Sequence, residues 1–173
     1  MKLDQATAIA QRVKAQLAPH CDRIEIAGSI RRKKPEVGDI EIVCIPKRIS
    51  IIDLFGVLNE GVRSLSWSQT VSGFGTVVKG DPVAGKYVQV DLGEINLDIF
   101  TARPENWGLI YAIRTGSVYF ARCVLGRAWV MAGYKSENGM LAPWRGGRSI
   151  PVREEEDLFR MLRVDWVEPE ERT

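Results

Sequence analysis

Asp39, Glu41 and Asp98 are the residues best placed to do chemistry, and Gly28-Ser29 stands ten residues ahead of the first of them. Asp39 and Glu41 alternate with Ile40 and Ile42. On a strand, the carboxylates therefore share one face and the isoleucines the other. Asp98 sits between Leu97 and Ile99 in the same way. If the two strands are neighbours in one sheet, three carboxylates converge. Like charges so close repel, and a divalent cation is the usual means of keeping them ionised together. Gly28-Ser29 follows a segment, residues 24 to 27, that reads as a strand. A glycine lets backbone approach a ligand, and a serine adds a hydroxyl beside free N–H donors. Arg31, Arg32, Lys33 and Lys34 come next, enough positive charge to meet a triphosphate or a nucleic-acid backbone.

The elements that must position these residues follow from periodicity. Leu3 to Leu17 carries Ala6, Ile9, Ala10, Val13 and Leu17 at helical spacing, and Pro19 stops it. Strands are expected near 24–28 and 39–45, and a second helix from Ser50 to Glu60, capped by Ser50 and stopped at Gly61. Residues 63–68, 74–79, 85–92 and 94–101 read as strands, with Gly93 implying a tight antiparallel hairpin. The expected fold class is α+β, a mixed sheet with two helices over 1–103. Pro104 opens a C-terminal subdomain, 104–173, with a helix to Arg114, a break at Gly116 and a second helix over 118–131. Tyr134 to Leu141 with Arg148 to Pro151 reads as a hairpin, and Glu154 to Leu162 as the last helix.

The 173 residues, 45% hydrophobic and 27% charged, suit one soluble domain or two small ones sharing a cleft. The net charge of +2 says less than its distribution, since Arg31 to Lys34, Lys47-Arg48 and Arg145 to Arg148 are basic clusters. The cysteines Cys21, Cys44 and Cys123 lack metal-site spacing, and Cys44 reads as core in a reducing compartment, so a cytoplasmic location is expected. His20 is the only histidine, which excludes a histidine-based zinc site and a Ser-His-Asp triad. No signal peptide is read at the amphipathic N-terminus, and the longest charge-free run, Ser64 to Val78, is polar and too short to span a bilayer. Trp107, Trp129 and Trp166 read as core, whereas Trp144, flanked by arginines and glycines, could stack on a base or sugar.

Gly28-Ser29-Ile30-Arg31-Arg32 with Gly38-Asp39-Ile40-Glu41-Ile42-Val43 resembles the palm signature of the family X DNA polymerases, within the DNA polymerase beta-like nucleotidyltransferases. Leu97-Asp98-Ile99-Phe100 resembles the family's third catalytic strand, Arg114-Thr115-Gly116-Ser117 its nucleotide-pocket turn, and Trp166 to Arg172 its C-terminal tail. The likeness runs in family order from about residue 28 to the end, in the form of the compact viral members. With fewer than thirty residues before Gly28, no lyase or fingers domain is expected. The chain departs from the family at Glu41, where Asp is usual. It departs again at Ile113-Arg114, where the animal gap-filling members carry a Tyr-Phe pair against the sugar.

The resemblance implies a nucleotidyltransferase palm with a thumb-like C-terminal subdomain. It implies a DNA polymerase adding deoxynucleotides to a primer 3′-hydroxyl, in gap filling or repair. Asp39, Glu41 and Asp98 would be catalytic and would hold two Mg²⁺ ions, with Mn²⁺ as a substitute. Gly28, Ser29, Arg32, Gly38, Arg114, Thr115, Gly116 and Ser117 would bind the deoxynucleoside triphosphate. Arg31, Lys33, Lys34, Trp144, Arg145 and Arg148 would meet primer-template or gapped DNA. A monomer without membrane contact is expected, in the cytoplasm or in a host cytoplasm if viral. The alternatives are a template-independent nucleotidyltransferase acting on RNA, protein or a small molecule, and a non-catalytic nucleic-acid-binding module.

Overall fold

The computed structural model describes residues 1–52 and 58–173. The chain forms helices α1 (Leu3–Leu17), α2 (Gly28–Arg31), α3 (Leu65–Gly73), α4 (Trp107–Thr115), α5 (Arg127–Met131) and α6 (Glu155–Leu162). Strands β1 (Cys21–Ile26), β2 (Asp39–Pro46), β5 (Thr76–Gly80), β6 (Tyr87–Asp91) and β7 (Asn96–Thr101) make a five-stranded mixed sheet of order β1-β2-β7-β6-β5. Strands β3 (Arg48–Ile52) and β4 (Leu58–Arg63) pair separately, as do β8 (Tyr134–Glu137) and β9 (Met140–Pro143).

Alternation along β2 and β7 decides what each sheet face does. Ile40, Ile42, Cys44, Leu97 and Ile99 bury one face against Ala6, Ala10, Val13 and Leu17 of α1 and Trp67 and Val71 of α3. The opposite face divides lengthwise. Val43, Ile45 and Phe100 at its far end pack with Trp107, beside Ile110 and Tyr111 of α4, while Asp39, Glu41 and Asp98 occupy the near end. β2 and β7 run parallel with Glu41 opposite Asp98 and Asp39 opposite Asn96. A third cluster, Leu109, Phe120, Leu125, Leu141, Leu158 and Phe159 among its members, forms the core of the C-terminal part.

Several elements depart from the sequence-based expectation. In place of a helix over Ser50 to Glu60, residues 50–52 and 58–60 are strand, with 53–57 outside the described residues. Ile49, Ile51 and Ile52 are β-branched and crowd χ1 in a helix, and this outweighs the capping pattern. Residues 65–68 belong to helix α3 rather than a strand, because Trp67 and Val71, four apart, fall on one buried helical face. The C-terminal hairpin turns at Asn138-Gly139, both with positive φ (54° and 78°), the geometry of a type I′ turn. Arg148 to Pro151 contributes only the Ile150–Leu141 bridge. The helix over 118–131 is wound as a π-helix from Phe120 to Gly126, and one-turn departures of this kind often sit beside functional sites. Among the described residues no helix is long and apolar enough to cross a membrane.

Gly28 is the point where the fold depends on a missing side chain. Its φ is +61°, and a Cβ there would collide with the Glu41 carboxylate. Gly28→Ala should therefore cost roughly 1–3 kcal/mol of stability, read as a lowered denaturant midpoint. An unchanged midpoint would show that strand β2 yields easily at Glu41.

Candidate functional site

Asp39, Glu41 and Asp98 line one cavity of about 510 Å³ with Tyr87, Phe100 and Arg114. Strand alternation and the parallel β2/β7 register put all three acids on that side. Asp98 is fixed from β6: Tyr87 Oη donates to its Oδ1 at 3.0 Å and Gln89 Nε2 at 2.8 Å. Burial, then the bond and charge of Asp98, push the Tyr87 phenol up to about 12. Burial and the neighbouring Asp39 push Glu41 up to about 7, despite Arg114 and Arg32 nearby. Asp39 is raised by burial and by Asp98.

With divalent cations chelated, Glu41 keeps its proton to higher pH in the folded chain than its ordinary 4.5 allows in the unfolded one. Between those values the folded state binds more protons, so stability falls as pH rises through the window. Denaturant midpoints measured in EDTA should therefore drop from about pH 5 to about pH 8. Glu41→Gln should remove most of that drop; a Gln variant with the wild-type slope would assign the effect elsewhere.

A second cavity, of about 720 Å³, adjoins the first. Arg32, Asp39, Glu41 and Arg114 line it together with Gly116, Ser117, Val118, Ala121, Arg122 and Trp129. Ser29 Oγ is shielded from solvent and lacks a hydrogen-bond partner. Arg32 donates Nη1 to the Thr115 carbonyl at 2.5 Å, and its Nε is buried without a partner. Burial lowers its pKa, while Glu41 and Asp39 oppose that. Arg114 lies 3.8 Å over the Phe100 ring, with Nε likewise unpartnered. Burial lowers its pKa against the pull of Glu41 and Asp98.

The remaining sequence-derived candidates fall in different places. Arg31, expected at the nucleic-acid surface, is bound at the junction of α2 with α4 and α6. Its guanidinium pairs with both Glu155 oxygens at 3.0 and 2.5 Å, donates to Thr115 Oγ1 at 2.5 Å, and covers the Tyr111 ring at 3.9 Å. Thr115, expected to touch nucleotide, is fully buried in that same junction. Ser117 lines the larger cavity while its Oγ accepts from Phe120 N, capping the helix that follows. Gly38 is exposed just before β2, where a side chain would meet nothing. Lys33 is exposed and paired with Glu170, and Lys34 is half-buried. Trp144, Arg145 and Arg148 are exposed on the segment after β9 and lie outside both cavities. Trp107 is buried as expected, but Trp129 walls the larger cavity and Trp166 is 39% exposed.

Tyr87 and Gln89 were not among the sequence-derived candidates. Their alternation on one strand face was visible, but the register that points both at Asp98 was not.

The DNA polymerase beta thumb family matches residues 110–173. That stretch contains most of α4, the Gly116-Ser117 turn, most of the lining of the larger cavity and the C-terminal tail. No curated protein matches the chain. The match supports a relationship to the family X polymerases and a polymerase-like, DNA-binding function.

Among the described residues, no three acidic, imidazole or thiol side chains already surround one point as a metal cage. Glu41 lies against Gly28, and Asp98 is held toward β6. The donor set nonetheless fits hard divalent ions: three carboxylates share one cavity, and two of them are raised by crowding and burial that a cation would relieve.

Proposed function

We propose that this chain is a nucleotidyltransferase of the DNA polymerase type, adding deoxynucleotides to a primer 3′-hydroxyl in gap filling or repair. The observation that carries this reading is the sharing of one cavity by Asp39, Glu41 and Asp98, beside a larger cavity walled by the thumb-like segment. Divalent ions, Mg²⁺ or Mn²⁺, held by these carboxylates would acidify the attacking hydroxyl and carry phosphate charge. Ser29 Oγ, the Gly28 backbone and Arg32 are the groups that would receive the triphosphate. The unpartnered hydroxyl and the partly unpartnered guanidinium favour that role. Tyr87 and Gln89 hold Asp98 in one orientation, so no rotamer search is needed when the primer end arrives. Val118, Ala121 and Trp129 offer apolar surface to a base and sugar, without side-chain amides to read base edges.

Arg114 supports a second reading. At Ile113-Arg114 the cavity lacks the aromatic pair that the resembled gap-filling enzymes set against the sugar, and Arg114 lies over Phe100 instead. Template-independent transfer, with ribonucleotides accepted, therefore stays in the test. A labelled primer, alone and annealed to a template, is incubated with each dNTP or NTP and Mg²⁺ or Mn²⁺. Template-directed extension with dNTPs supports the first reading, extension without template supports the second, and no product under any condition defeats both.

Arg145 and Arg148 carry the proposal's grip on DNA outside the cavities. Arg145→Ala with Arg148→Ala should flatten the log–log salt dependence of DNA affinity by roughly one to two units, measured by fluorescence anisotropy. An unchanged slope would make them solvated surface charges.

A further inference from the structure

Gly28 and Ser29, the turn that would receive a triphosphate, line neither of the two cavities, whereas Glu41 lines both. What covers the turn is Glu41 itself. Its Cδ lies 2.9 Å and its Cβ 3.1 Å from where a Cβ on Gly28 would stand, and Oε2 is nearer still. Gly28 is buried beneath it, and the Ser29 hydroxyl next along is shielded from solvent without a partner. The root of the Glu41 side chain is fixed: its carbonyl accepts from Ala27 N at 2.8 Å, and Ile42 pairs with Ile26 across β1 and β2. The tip is held more loosely, since Arg32 and Arg114 act on the carboxylate through their charge alone.

A phosphate and a carboxylate cannot both lie on Gly28. A glycine serves a phosphate because no side chain keeps the ligand from its backbone, and here a side chain from the neighbouring strand fills that space. The length of residue 41 decides the matter. Glutamate reaches over the turn, whereas aspartate ends one methylene sooner and would draw its carboxylate back. The same reach sets two duties against each other. Among the described residues the acids surround no common point as they stand, so bringing Glu41 to an ion shared with Asp39 and Asp98 takes it off Gly28.

We propose that Glu41 is a lid on the Gly28-Ser29 turn and decides when a nucleotide is admitted. In the chain without a divalent ion its carboxylate occupies the space of the phosphates, and the turn takes a triphosphate only once that carboxylate has moved. Loading of the acidic site and admission of the triphosphate are thereby linked, each favouring the other. The inference rests on the nucleotidyltransferase reading for the identity of the ligand; the contact of Glu41 with Gly28 stands without it.

The test uses the full chain in EDTA and without primer, so that binding is read without transfer. Affinity for 2′-deoxyadenosine triphosphate is measured by isothermal titration, with 2′-deoxyadenosine as the phosphate-free comparison. Glu41→Asp keeps the charge and loses the reach, while Glu41→Gln keeps the reach and loses the charge. A lid closed in about nine-tenths of molecules weakens apparent affinity about tenfold, so Glu41→Asp should bind the triphosphate about tenfold more tightly than wild type. Glu41→Gln should gain less than Glu41→Asp, and deoxyadenosine should bind all three alike. A Gln variant that binds the triphosphate as tightly as the Asp variant, or more tightly, would reduce the effect to charge repulsion and overturn the proposal. An Asp variant that gains nothing, or that gains equally for deoxyadenosine, would overturn it too. The expected gain in a chain that extends no primer under any condition would instead overturn the nucleotidyltransferase reading and leave the lid standing.

Discussion

Asp98→Asn is expected to reduce nucleotide transfer by roughly a thousandfold or more while leaving the fold intact. The substitution keeps Oδ1, the atom that accepts from Tyr87 Oη and Gln89 Nε2, so the local hydrogen bonds survive. What it removes is the charge. In the metal-free chain that charge repels Asp39 and Glu41 and attracts Arg114, effects of opposite sign that leave the variant close to wild-type stability. In the working site the same charge would be needed to hold a divalent ion and to balance the developing phosphoryl charge. Single-turnover primer extension, with circular dichroism and a denaturant midpoint as controls, separates the two roles. A variant that extends primers at near the wild-type rate would remove Asp98 from the reaction and reduce the acidic face to strand-edge solvation. Asp39→Asn should behave in the same way, because it alternates on the face that Glu41 shares.

The acidic face was legible because strand alternation is a rule of period two, and Asp39-Ile40-Glu41-Ile42 satisfies it without help from the rest of the chain. The Asp98 strand and the hairpin at Gly93 were legible for the same reason. The parallel pairing of β2 with β7 was not, since partners more than fifty positions apart leave no local mark. The miss at 65–68 has a similar origin: Trp67 and Val71 suit a strand by propensity, and only the buried face they share with α1 makes them helical. What each of the cations at 31–34 meets was not legible, because four adjacent cations look alike in sequence. The structure separates them by partner, with Arg31 held by Glu155, Arg32 by the Thr115 carbonyl and Lys33 by Glu170.

Arg172→Ala should produce a large loss of stability. Arg172 is fully buried, and its Nη1 donates to Glu155 Oε1 at 2.5 Å while Nε donates to the Val167 carbonyl at 2.9 Å. Nη2 finds no hydrogen-bond acceptor, but the guanidinium lies among the rings of Trp166, Phe159 and Phe120 at 4.7, 5.1 and 5.9 Å, whose faces attract a cation. Glu155 in turn receives Arg31, so one buried carboxylate joins the tail, the last helix and the segment after the Gly-Ser turn. A buried ion pair adds little net stability compared with apolar packing, and removing one member costs about 3–5 kcal/mol where its partner is left alone; here Arg31 still holds Glu155, so the electrostatic share of the loss falls below that range. Truncation at Arg172 also empties the space between three rings. The consequence reaches the site, because the Arg172 carbonyl accepts from Ser117 N and so braces the turn that lines the larger cavity. Denaturant midpoints should fall for Arg172→Ala and fall less for Arg172→Met, which refills the volume but lacks the charge. Transfer by Arg172→Ala, measured well below its midpoint, should show a raised KM for nucleotide as the Ser117 turn loosens. A variant with wild-type stability would mean that Arg31 alone satisfies Glu155 and that the tail is merely draped over the subdomain.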